Sequence, residues 1–221
     1  AGIAVAKSVR LALAGELVPD AVNVQGGVLA VEVKPYLPLA EKIGNIAAAL
    51  VDAPIARIDV EVHGELANED VRVLKLAALK GAFQFLVEDQ VSYVNAPIIA
   101  SERGVETELT TSADGGDHKS MLRVVIATST GRRFAVGGTV VGPRDVEKLV
   151  EIDGVDVEVA LTDHLAVFRY ADRPGVVGIV GRMLGEIAPA PRKAAPVNAS
   201  AVKMIAVKMI RAPPAASVID T

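Results

Sequence analysis

The sequence contains no cysteine and no tryptophan, and only 3% of its 221 residues are aromatic. Without cysteine there is no disulfide, no thiolate metal site and no cysteine nucleophile. With so few large rings, alanine, valine, isoleucine and leucine must fill the interior, and a hydrophobic content of 51% supplies them. Positive charge is not in excess. The formal net charge is −4 and no basic block interrupts the chain, so nucleic acid is not expected as a partner. No apolar run reaches the ~18 residues that cross a bilayer, so no membrane contact is expected. The opening AGIAVAKSVRLALAGELVPDAVN carries Lys7 and Arg10 inside a helical pattern, not the basic flank and long apolar stretch of a signal peptide. The expected location is cytoplasmic.

Histidine is scarce too. His63, His118 and His164 lie far apart. His63 with Glu65 would put two ligands on one strand face, and Asp117 stands beside His118, but no further ligand follows at a recognisable spacing. Surface polar roles are therefore the expectation, with no metal site. Ser101, Ser120 and Ser129 have no G-x-S-x-G around them and no strand–elbow–helix context. No G-x-G-x-x-G opens a helix after a strand, so no dinucleotide cofactor is expected on this chain.

What is present reads as alternating elements. Residues 2–14 form a helix with Val5, Val9, Ala12 and Leu13 on one face, ending at Gly15. A second helix is predicted from Leu37 to about Val51, with Leu39, Ile43, Ile46 and Leu50 facing inward. ARIDVEVHGEL alternates and reads as a half-buried strand. The clearest helical pattern covers 69–88, with Asn68 as N-cap and Leu76, Leu79, Phe83 and Leu86 as its stripe. After VSYVNAPIIASERG come the short β runs VETELTT, MLRVVIAT, RRFAVGGTVV, KLVEI and VDVEVAL. Asp114-Gly115-Gly116, Thr130-Gly131, Gly142-Pro143 and Asp153-Gly154 mark the turns between them. The fold class is α+β, helices with one strand preceding a meander.

The stretch YADRPGVVGIVGRMLG, from Tyr170 to Gly185, is a strand feeding into a helix through Pro174-Gly175. Such a junction leaves the first N–H groups of the helix open to a ligand. Asp172 at its edge has two readings, a simple helix cap or the ammonium contact of an amino-acid zwitterion whose carboxylate the N–H groups hold. Gly175, Gly178 and Gly181 fit close helix packing better than a phosphate cradle. Beyond Glu186, APAPRKAAPVNAS is low-complexity, VKMIAVKMI is a near-duplicated pentad and RAPPAASVIDT reads as a frayed end.

RYADRPGVVGIVGRMLGE resembles the first strand and helix of an ACT domain, a small amino-acid-sensing module. SVRLALAGELVPDAVNV is similar to the last catalytic-domain helix and linker of the D-3-phosphoglycerate dehydrogenase family. VHGELANEDVRVLKLAALKGAF, VNAPIIASERGV and GTVVGP resemble the intervening, allosteric-site domain of the family's long form. The resemblance runs over about residues 1–186 and implies three parts. These are a catalytic-domain end and linker at 1–23, an intervening domain at 24–161 and a partial, ferredoxin-like ACT domain at 162–221. It implies the regulatory portion of an enzyme that uses NAD to oxidise 3-phosphoglycerate on the way to serine. The family's NAD loop and catalytic arginine, glutamate and histidine have no counterpart here, so no catalytic residue is assigned and the chain alone is expected to be inactive. Tyr170 and Asp172 match the family's positions for the effector, serine. The family's asparagine after the helix would fall near Ala190, where EIAPAPRK stands, and that contact is lost. Lys148 matches a basic anion-binding position, whereas Asp156 and Ala160 stand where basic side chains are expected. The resemblance further implies a homodimer paired through the ACT domain and a tetramer in the full enzyme. A shifted frame, a truncation or divergence would each account for the sequence after Glu186. The alternative reading is a free-standing amino-acid-binding module, like the regulatory part of the iron–sulfur serine dehydratases.

Overall fold

The structure, a computed structural model, describes residues 2–13, 29–162, 165–171, 174–187 and 203–209. The chain divides into two compact units, Ala1–Leu161 and Thr162–Thr221, each described by itself.

The first unit is built on a six-stranded sheet. Helix α1 (Gly2–Leu13) precedes it and leaves Val5 and Val9 exposed. Helix α2 (Tyr36–Ala49) leads into β1 (Ile55–Gly64), then a 3₁₀ turn (Glu65–Asn68), α3 (Arg72–Phe83) and α4 (Ala96–Glu102). The remaining strands are β2 (Glu106–Ser112), β3 (Ser120–Thr128), β4 (Arg133–Val141), β5 (Val146–Ile152) and β6 (Val155–Ala160). Spatial order is β2-β1-β3-β4-β5-β6. Strands β3 to β6 form an antiparallel meander, β1 runs antiparallel to β3, and β2 pairs with β1 in parallel. A parallel pair needs a long crossover, which the 3₁₀ turn, α3 and α4 supply.

Period-two alternation sorts the sheet into two faces. Ile58, Val60 and Val62 of β1 lie buried with Leu122, Val124 and Ile126 of β3, Val136 of β4 and Leu149 of β5. The layer above them is α2 and α3, which contribute Leu39, Ile43, Leu74, Leu79 and Phe83, all fully buried. Each such side chain contributes about 1.5–3 kcal/mol through removal from water. Alanine and glycine on the helices allow a close approach. A Cβ on Gly44 would strike the Ala78 carbonyl, and one on Gly81 the Glu41 carbonyl. On the sheet, a Cβ on Gly138 would come within 2.6 Å of Ile43 Cδ1. This largely aliphatic core needs few large rings, Phe83 among them, because the backbones sit near enough to close gaps themselves.

Several expectations change. Asn68 does not cap α3: it closes the 3₁₀ turn, its side-chain amide donating to the Glu65 carbonyl at 3.1 Å. Helix α3 starts at Arg72, whose N–H and guanidinium both donate to the Asp70 carboxylate. The helix ends at Phe83, so Leu86 lies beyond it and is exposed, and Leu76 is only half-buried. The stretch VSYVNAPIIASERG, given no element above, contains α4, with Ala96 and Ala100 buried.

In the second unit, β7 (Leu165–Ala171) is followed by α5 (Val176–Ile187), and β8 (Lys203–Met209) pairs with β7 in parallel. The near-duplicated pentad is thus the strand β8.

Candidate functional site

Lys148 lies in β5. The hairpin joining β5 to β6 closes on Asp153 and Gly154, both with positive φ (50° and 77°), the two-residue turn that matches strand twist. A register shift between Leu149 and Glu151 then sets Lys148 opposite Ala160, while Glu151 stands opposite Asp156. The structure therefore places Lys148, Asp156 and Ala160, the three positions compared with the basic set above, on one hairpin, with Ala160 opposite Lys148 and Asp156 nearer the turn. It also supplies a residue that the sequence reading passed over. Lys148 Nζ donates to Glu158 Oε1 at 2.5 Å across the diagonal of the pair. The Lys148 ammonium, by hydrogen bond and by charge, holds the Glu158 carboxyl below the usual carboxylate range, and His118 acts in the same direction. The signal was the alternation in VDVEVA, which puts Asp156, Glu158 and Ala160 on one face.

These residues share the sheet face turned away from α2, and further ion pairs lie on that face. Arg123 of β3 holds Glu151 through Nε and Nη2 at 2.9 and 3.1 Å and Glu61 through Nη1 at 2.9 Å. The two carboxylates in turn raise the Arg123 guanidinium, with Glu151 the larger influence. His63 Nε2 lies 3.6 Å from Glu61, whereas Glu65 turns to Lys119 at 3.0 Å. Arg57 reaches Glu106 and Glu108 on β2 and Asp59 on its own strand. Gly137 leaves the space over this face that Met121 and Glu151 fill. Among the described residues, no three His, Asp or Glu side chains are grouped to hold a metal ion.

Tyr170 lies in β7, though its side chain is outside the described residues, as are Asp172 and Ala190 entirely. Pro174 and Gly175 are exposed at the junction, where Gly175 takes φ 89° and its carbonyl accepts from the Ile179 N–H at 3.1 Å. Gly178 and Gly181 lie inside α5, and among the described residues no atom apart from the helix itself comes within 4 Å of where a Cβ would stand on either. No two glycines in the sequence stand two residues apart, so these residues do not fit an NAD pyrophosphate cradle.

The first unit is an α+β domain whose outward sheet face carries ion pairs between its strands. The model of the D-3-phosphoglycerate dehydrogenase intervening domain matches residues 32–153, and the chain belongs to that family. It is 48% identical over 185 residues to D-3-phosphoglycerate dehydrogenase of Mycobacterium leprae and 45% identical to that of Mycobacterium tuberculosis, in each case over 84% of this chain and 35% of the relative. The enzyme of the same name from Methanocaldococcus jannaschii is 33% identical over 193 residues, again 84% of this chain and 35% of the relative. The chain thus spans about a third of the length of these relatives. No helix among the described residues is long and apolar enough to cross a membrane.

Proposed function

We propose that this chain is the regulatory portion of a cytoplasmic, NAD-dependent D-3-phosphoglycerate dehydrogenase of serine synthesis. Its NAD site and catalytic groups would lie in the part of the relatives' length that this chain does not span. Residues 162–221 form a partial ACT domain that senses serine, with Tyr170 and Asp172 as effector contacts, and Lys148 takes an anion on the intervening domain. The chain self-associates as a dimer, within a tetramer in the whole enzyme. The observation that carries this reading is the intervening-domain match over residues 32–153, joined to relatives of that name along 84% of the chain.

The test is direct. The pure chain incubated with 3-phosphoglycerate and NAD is expected to produce no NADH. Calorimetric titration is expected to give weak serine binding, in the millimolar range, because the asparagine contact near Ala190 is missing. Turnover by the pure chain would overturn the proposal.

A further inference from the structure

We propose that Glu158 is the resident anion of the Lys148 site: its carboxylate occupies the ammonium that an external anion must engage, so phosphate binds β5–β6 only by displacing it. This rests on the reading of Lys148 as an anion contact. The geometry has the form of a masked site. The Lys148 side chain is 28% exposed and its Nζ is engaged at 2.5 Å, whereas the Glu158 side chain is 73% exposed and has room to swing away. The register shift in β5 is what creates the contact, by setting Lys148 opposite Ala160 with Glu158 on the adjoining diagonal. The methyl side chain of Ala160 brings no hydrogen-bond donor of its own to an incoming anion. Asp156, opposite Glu151, adds negative charge to the same face. Because Lys148 and His118 both favour its charged form, Glu158 remains an anion throughout the neutral range.

A tethered carboxylate competes at high effective concentration. An exposed ion pair is nevertheless weak, so the mask is displaceable and not permanent. Phosphate, with more charge and three acceptor oxygens, competes for the ammonium better than a monocarboxylate does. The site therefore selects for polyanions by making every ligand displace a carboxylate first.

The experiment is an NMR titration of the full ¹⁵N-labelled chain with inorganic phosphate at constant ionic strength, in wild type, Glu158→Gln, and the Lys148→Met/Glu158→Gln double variant. Glutamine keeps the size and exposure of Glu158, and a thermal melt checks the fold. In Glu158→Gln the Lys148 and Ala160 amide shifts are expected to saturate at roughly 1.5- to 5-fold less phosphate than in wild type. Adding Lys148→Met should abolish the saturable shift. If wild type and Glu158→Gln titrate alike, the mask is refuted while Lys148 stands as an anion contact. If neither shows a saturable shift on β5–β6, Lys148 is not an anion contact and both readings fall.

Discussion

Gly81 of α3 lies against the backbone carbonyl of Glu41 on α2, with no room between them for a methyl group. Gly44 makes the reciprocal contact with Ala78, so the two helices cross on a pair of missing side chains. Lys80 and Glu41 at 3.0 Å, and the Asn45 amide donating to the Gly81 carbonyl at 3.4 Å, fasten the same crossing.

Alanine is the better helix former, by about 1 kcal/mol over glycine. At this crossing the sign is expected to reverse. Gly44→Ala and Gly81→Ala should each destabilise the fold by about 1–3 kcal/mol, because the obstacle is backbone and not a movable side chain. Because they share one crossing, the double substitution should cost less than the sum of the singles. Urea denaturation of the three variants checks this. A stability gain in either single would show that the helices can separate without loss.

Tyr93 gives the first unit an alkaline limit. Burial, with a smaller contribution from the Glu41 carboxylate, pushes its phenol up to about 12, and Lys80 Nζ lies 5.0 Å from the ring centre. A pKa raised on folding means the native state keeps a proton that the unfolded chain releases. Stability is therefore unaffected below the ordinary tyrosine value near 10 and falls as pH rises from there towards 12, by on the order of 2 kcal/mol. Tyr93→Phe should flatten that slope relative to wild type. Parallel melting curves for both proteins between pH 9 and 12 would refute the assignment.

For the proposed serine site, the two readings of Asp172 diverge on one substitution. An ammonium contact contributes roughly 1.5–3 kcal/mol, so Asp172→Asn should weaken serine binding about 10- to 150-fold. If Asp172 only caps the helix, asparagine serves equally well and neither stability nor affinity changes much. Calorimetry on both proteins separates these. Absence of binding to either would point to a sensor disabled by the sequence after Glu186.

Self-association is predicted on separate grounds. Helix α5 leaves Val177, Ile179 and Met183 exposed, and β7 pairs on one side only among the described strands. Light scattering should report a dimer of the 22.9 kDa chain, and Met183→Glu should shift it towards monomer. A wild-type monomer at micromolar concentration would count against the dimer.

The elements were legible wherever one periodicity ran unbroken. Alternation in β1 and β3, and the Leu39–Ile43 face of α2, announce their own burial. Helix α4 was not legible, since seven residues containing Pro97 and two isoleucines are too short to show a helical period. Asn68 misled because it is a good cap residue in the wrong turn: the Gly64 kink at φ 82° starts a 3₁₀ segment before α3 can form. The position of Lys148 could be read, but not its partner. Glu158 lies ten residues on, and which side chain meets Lys148 depends on an irregularity at Leu149–Glu151 that no local pattern marks.

The parallel edge strand β2 has a kinetic consequence. Among the described strands it pairs with β1 alone, and that pairing closes a loop containing all of α3 and α4, whereas β3 to β6 join through short turns. Loop-closure entropy makes such a strand late to dock and early to leave. Beside the backbone ladder, ion pairs fasten it, with Arg57 reaching across to Glu106 at 3.0 Å and to Glu108. Salt screens exposed pairs of this kind. Amide hydrogen exchange in β2 should therefore quicken with ionic strength, while exchange at the centre of the sheet, in β3 and β4, stays nearly constant.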